Sequence, residues 1–124
     1  MKTFSLLVLA ATLPQIANAW TLADLAGTYK VTHPGIPAVN WVTIQANGAV
    51  SLKESSQYGN LDCKGRGTLS GDVFRSDLAC QNGMSFNQTI QLGQVKNLSR
   101  FSADVFSSLY GQTLRMNFEK TGAR

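Results

Sequence analysis

The chain has 124 residues, with 11 Lys and Arg, 7 Asp and Glu, one His and a formal net charge of +4. That charge is mild and scattered, and no basic stretch is dense and interleaved with aromatics, which argues against a nucleic-acid stripe. The two cysteines read as one disulfide bridge in an oxidising compartment rather than as thiolate ligands.

Met1 to Ala19 reads as a secretory signal peptide. Lys2 supplies the charged n-region, Phe4 to Leu13 the apolar h-region, and Ala17-Asn18-Ala19 the small-residue cleavage site. The apolar run is too short to span a bilayer, and no later stretch qualifies as a transmembrane segment. A cut there leaves 124 − 19 = 105 residues, 20–124, enough for one domain with one core. The mature chain is expected to be secreted or periplasmic.

Trp20 to Leu25 is predicted to form one helical turn with Thr21 as its cap. Ala26 to Thr32 alternates as a first strand, with Tyr29 and Val31 inward. His33-Pro34-Gly35-Ile36-Pro37 reads as a rigid connector, and Val39 to Gln45 as a second strand with Val42 and Ile44 inward. Ala46-Asn47-Gly48 has the composition of a type I turn with a G1 bulge. It pairs Ile44 with Val50 and Val42 with Leu52, so the apolar faces agree. Ser55 to Asn60 reads as a polar loop.

Leu61 to Cys80 (LDCKGRGTLSGDVFRSDLAC) is the most informative stretch. Gly71-Asp72 has Gly at the first central position, as a type II′ hairpin turn requires. Counting outward from it pairs Ser70 with Val73, Leu69 with Phe74, Gly67 with Ser76, Arg66 with Asp77, Gly65 with Leu78 and Cys63 with Cys80. The cysteines land at a non-hydrogen-bonded site, where Cα atoms lie about 4.5 Å apart, within disulfide reach. Cys63, Gly65, Gly67, Leu69, Phe74, Ser76, Leu78 and Cys80 share the core face, and Lys64, Arg66, Thr68, Arg75 and Asp77 the wet one.

A two-residue loop at Asn82-Gly83 would turn Phe86 and Ile90 out to water. A three-residue loop, Gln81-Asn82-Gly83, keeps them inside and pairs Leu78 with Phe86 and Phe74 with Ile90. Leu92 to Ser99 contains another polar loop. Arg100 to Phe106 is a strand with Phe101, Ala103 and Val105 inward, Ser107 to Gly111 turns, and Gln112 to Lys120 is a last strand with Leu114, Met116 and Phe118 inward. Thr121 to Arg124 reads as a loose tail. The prediction is an all-β fold: an eight-stranded antiparallel up-and-down barrel, closed because both end strands are well alternated and closure removes edges.

ADLAGTYKV, Ala23 to Val31, resembles the opening of calycin barrels (lipocalins and avidins), where a short helical turn leads to Gly-x-Trp on the first strand. Gly27-Thr28-Tyr29 keeps the Gly and has Tyr at the Trp position. The bacterial metalloprotease-inhibitor family is similar in outline, as a small exported barrel with one disulfide. That resemblance implies that Trp20 to Asp24 matches the segment that enters the protease cleft. The cysteines here sit later in the chain than in that family.

His33 lies in a Pro-rich turn without acidic or Cys neighbours, which points to no metal and no general base. No G-x-S-x-G, phosphate loop or H-E-x-x-H occurs. The expectation is a binding protein without cofactor, monomeric and not an enzyme. Two sites are candidates. Gly65, Gly67, Ser76 and Gln88 meet on the core face, where absent side chains would leave room for a small apolar ligand; alternatively the glycines let a small barrel coil tightly. Trp20, Trp41, Tyr58, Tyr110 and Phe106 are candidates for contact with a secreted or envelope protein; alternatively they plug the barrel ends. Asn87-Gln88-Thr89 and Asn97-Leu98-Ser99 are glycosylation sequons.

Overall fold

A computed structural model describes residues 20–56 and 59–121. The proposed signal peptide and Gly122 to Arg124 of the predicted tail lie outside them, whereas Thr121 is not loose: its N–H and Oγ1 donate to Thr28 O at 2.8 and 3.1 Å. Among the described residues no helix is long and apolar enough to cross a membrane. One helical turn, α1 (Leu22–Leu25), precedes eight strands: β1 (Gly27–His33), β2 (Ile36–Ile44), β3 (Ala49–Ser56), β4 (Gly59–Ser70), β5 (Val73–Cys80), β6 (Ser85–Gln91), β7 (Arg100–Ser107) and β8 (Gln112–Lys120). Each pairs antiparallel with the next, and β1 pairs with β8 from Tyr29↔Lys120 to Thr32↔Asn117, which closes the barrel.

The β4–β5 ladder carries every pair that the turn chemistry predicts, from Ser70↔Val73 to Cys63↔Cys80. The two cysteines are bridged, with Cα atoms 3.9 Å apart. The three-residue reading of Gln81 to Gly83 also holds, with Leu78↔Phe86 and Phe74↔Ile90 in register. A one-residue slip would have moved Phe86 and Ile90 to the wet face, so the burial of both sets the pairing.

The outer residues of two predicted loops are strand instead. The β1–β2 connection is a tight turn at Pro34 and Gly35, with His33↔Ile36 already paired. Pro37 lies one residue into β2, before the β3 ladder begins at Ala38↔Ser56, where its missing N–H costs no ladder bond to β3. Ser55 and Asn60 pair across β3 and β4 rather than forming a polar loop. Backbone pairing does not need apolar side chains, and polar strand ends are stable where a barrel opens to water.

The antiparallel order puts α1 and the turns 45–48, 71–72 and 92–99 at one end, and the turns 34–35, 81–84 and 108–111 at the other. The first end is a floor. Leu25, Leu92, Val95 and Leu98 are all buried there, so the segment read as a polar loop contributes three core side chains. Leu92 N–H donates to Asp72 O at 2.7 Å and Val95 N–H to Leu92 O at 3.1 Å, which satisfies backbone groups that the burial takes from water. Thr21 and Asp24 form a reciprocal capping box, with Asp24 N–H donating to Thr21 Oγ1 at 3.1 Å and Thr21 N–H to Asp24 Oδ2 at 2.9 Å. Thr21→Ala should lower the denaturation midpoint by the equivalent of about 1 kcal/mol.

Above the floor, Phe101 stacks on Phe118 with ring centroids 4.6 Å apart, and Tyr29 meets both edge-on. The Tyr29 hydroxyl donates to Leu25 O at 2.7 Å and ties β1 to α1. Burial pushes this phenol from its ordinary 10.0 up to about 12. The unfolded chain therefore loses the proton first. Stability from this group is intact below pH 10.0 and falls as pH rises towards about 12. Tyr29→Phe should cost about 1 kcal/mol at neutral pH through the lost hydrogen bond, and its alkaline unfolding curve should be shallower than that of the wild type.

Candidate functional site

At the end opposite the floor, the inward positions change character. The alternation that points Val42 and Ile44 into the core on β2 also points Asn40 inward. The one that buries Val50 and Leu52 on β3 carries Glu54 inward. In the same way Gln88 follows Phe86 on β6, and Ser107 follows Val105 on β7. These polar groups rim an apolar cup walled by Leu52, Phe86, Val105, Leu114 and Met116, with Leu109 and Tyr110 over it. Among the described residues that line it, Glu54 alone is charged.

The β7–β8 turn is held over the cup by its own hydrogen bonds. Ser107 is buried, and its Oγ accepts from Leu109 N–H at 3.2 Å while its carbonyl accepts from Tyr110 and Gly111 N–H. Gly111 takes φ +70°, a conformation glycine adopts without strain. Ser108 is tied to β6 twice, through Ser108 N–H to Asn87 O and Asn87 N–H to Ser108 Oγ, both at 3.0 Å. Leu109 and Tyr110 are thereby presented half-exposed at the rim. Burial raises the Glu54 carboxyl above the ordinary carboxylate range. Tyr110 is also raised, first by burial and then by the nearby Glu54 charge.

The cavity of the cup is about 20 Å³. That is the volume for one water-sized group. Enclosed sites for drug-sized ligands run to about 300 Å³ or more. The larger body of any ligand must therefore sit at the open rim.

Gly67↔Ser76 and Ser76↔Gln88 are cross-strand pairs, so three of the four core-face candidates form one row; Gly65 lies on the next, opposite Leu78. The room expected above the glycines is filled. A Cβ on Gly67 would lie 2.3 Å from Phe74 Cζ, and one on Gly65 would lie 1.8 Å from Asp77 O. Phe74 occupies the space that Gly67 vacates, and β5 approaches β4 too closely at Gly65 for any side chain. Of the four, Gln88 alone lines the cup.

The aromatic candidates are dispersed. Trp20 is half-buried and packs on the core, with its Nε1 buried and without a partner among the described residues. α1 is capped and Leu25 is buried, so the N-terminal segment is docked on the floor rather than projecting from it. Trp41 is exposed on the outer face of β2 between its cross-strand partners Lys30 and Lys53, and Phe106 on that of β7 between Thr89 and Thr113. Tyr110 is at the cup, and Tyr58 lies outside the described residues. Asn87 is exposed on β6, paired with Asp77, and Asn97 is exposed in the floor loop, its Oδ1 accepting from Ser99 N–H at 2.8 Å. His33 Nδ1 accepts from Gly35 N–H at 3.0 Å, a local turn bond.

Asn40, Glu54 and Ser107 were not singled out in the sequence. Their signal was present: each is in phase with the apolar alternation of its strand. Asn40 lies inside the predicted second strand and Glu54 just before the predicted loop, where polar side chains read as solvent-facing, and Ser107 falls one residue past the predicted end of its strand. No family model, curated protein or solved structure matches this chain.

Proposed function

We propose that this protein is an exported, non-catalytic binding protein that holds a small, largely apolar molecule at the open mouth of its barrel. The observation that carries the reading is the asymmetry of the two ends. One is sealed by α1, Leu92, Val95 and Leu98; the other is an apolar cup with a polar rim and half-exposed Leu109 and Tyr110 above it. Ligand sites commonly combine apolar walls with a few convergent polar groups, and barrel mouths are among their usual places. Leu109, Tyr110 and Leu114 at the rim would contact the hydrocarbon, and Asn40, Glu54 and Gln88 would orient its polar end.

Wild-type protein purified from its own host without heat or detergent should carry a small molecule that leaves on denaturation. Leu114→Trp, which fills the cup, should come from the same host bare. A wild type that is equally bare would overturn the reading.

A further inference from the structure

We propose that the mouth receives a primary amine, its ammonium head seated against Glu54 and its hydrocarbon lying along Leu109 and Leu114. The proposal rests on the mouth being the binding site and adds the chemical class of what binds there.

Among the described residues the lining carries a single formal charge, and it is negative. Lys53 and Asp62, the charged residues nearest Glu54 along β3 and across on β4, pair with each other on the outer face and do not line the cup. Burial disfavours the Glu54 carboxylate, and a cation in contact with it reverses that penalty. An anionic head would meet like charge instead.

The remaining polar groups fit the same head. An ammonium has three donors and no acceptor. Glu54 supplies carboxylate oxygens, and the amides of Asn40 and Gln88 supply carbonyl oxygens in the same lining. The size agrees too. A cavity of about 20 Å³ holds one water-sized group. An –NH₃⁺ head is of that size, whereas a trimethylammonium head is several times larger. The alkyl chain then lies where the lining is aliphatic and open to solvent.

The test is a titration followed by backbone amide shifts, using n-hexylammonium, n-hexanol, hexanoate, hexyltrimethylammonium and Nα-acetyl-lysine amide on wild type and Glu54→Gln. The amides of residues 52, 54, 109, 110 and 114 should move with hexylammonium, which should bind wild type at least about tenfold more tightly than hexanol, the size of a charge-assisted hydrogen bond. Hexanoate and hexyltrimethylammonium should bind more weakly still. Glu54→Gln should bring hexylammonium down to the level of hexanol and leave hexanol unchanged. Hexanol matching hexylammonium on wild type, with the same amides moving, would overturn the amine assignment and leave the mouth as the site. That comparison needs no variant to fold. Failure of every probe to move the mouth amides would overturn the mouth reading itself. Two sources of the amine are separated by the lysine derivative: tighter binding than hexylammonium assigns the head to a protein side chain, and weaker binding to a free small amine.

Discussion

Reduction of the Cys63–Cys80 bridge is expected to lower the stability of the domain by roughly 3 kcal/mol, the chain-entropy value for a loop this short. The bridge joins residues 17 apart in sequence, on strands that the turn at Gly71 and Asp72 already aligns. Its effect therefore falls mainly on the unfolded chain, which regains the freedom that the cross-link removes. For a domain of about 100 residues the melting temperature should drop by roughly 10–20 °C. The reduced protein should keep its β-sheet circular dichroism at low temperature, because the rest of the β4–β5 ladder does not need the bridge. Cys63→Ala with Cys80→Ala should lose more than reduction alone, since both side chains are also buried in the core. Equal melting of oxidised and reduced protein would contradict this.

Gly65 and Gly67 on the core face of β4 should tolerate an added side chain poorly. Gly65→Ala places a Cβ 1.8 Å from the backbone oxygen of Asp77, and backbone cannot yield without parting the two strands. A loss of about 3 kcal/mol, at the upper end for overpacking, is expected from the denaturant midpoint. Gly67→Ala meets the Phe74 ring at 2.3 Å instead. A ring can shift, so the loss should be smaller, about 1–2 kcal/mol. The double variant Gly67→Ala with Phe74→Leu should lose less than the sum of the two single changes, with a coupling of about 1 kcal/mol. Strict additivity would mean that Phe74 does not fill the space over Gly67.

Most of the fold was legible because its signals are local. Gly71-Asp72 and Gln81-Asn82-Gly83 each dictate a register, and the alternation on β4, β5 and β6 allows only one choice of face. The cysteine pairing followed from counting. What escaped was carried by polar residues at strand ends. Ser55, Ser56 and Asn60 look like a loop by composition, yet they continue β3 and β4 because a ladder is made by backbone groups. Leu92, Val95 and Leu98 look like scattered apolar residues in a loop, since a spacing of three is not the alternation of a strand and Gly93 and Asn97 interrupt it, but together they close the floor.

The same cause governed the site. The glycine row was placed correctly in register, but whether an absent side chain leaves a void depends on what leans into it. Phe74 is on the adjacent strand, and the direction of its ring is a matter of packing rather than of pattern. Glu54 is the opposite case. Its phase relative to Val50 and Leu52 puts it inside the barrel, but a charged side chain next to a polar stretch reads as solvent-facing, and its inward position shows only once the barrel closes around it.

The most direct test of the central claim is a high-resolution crystal structure of the protein purified from its own host without heat or detergent. Density for a bound small molecule should lie at the mouth, in contact with Glu54, Leu114 and Tyr110, and the Phe74 ring should cover Gly67 with nothing between them. A mouth that holds only water, with a ligand instead lodged in the interior between β4 and β5, would contradict it.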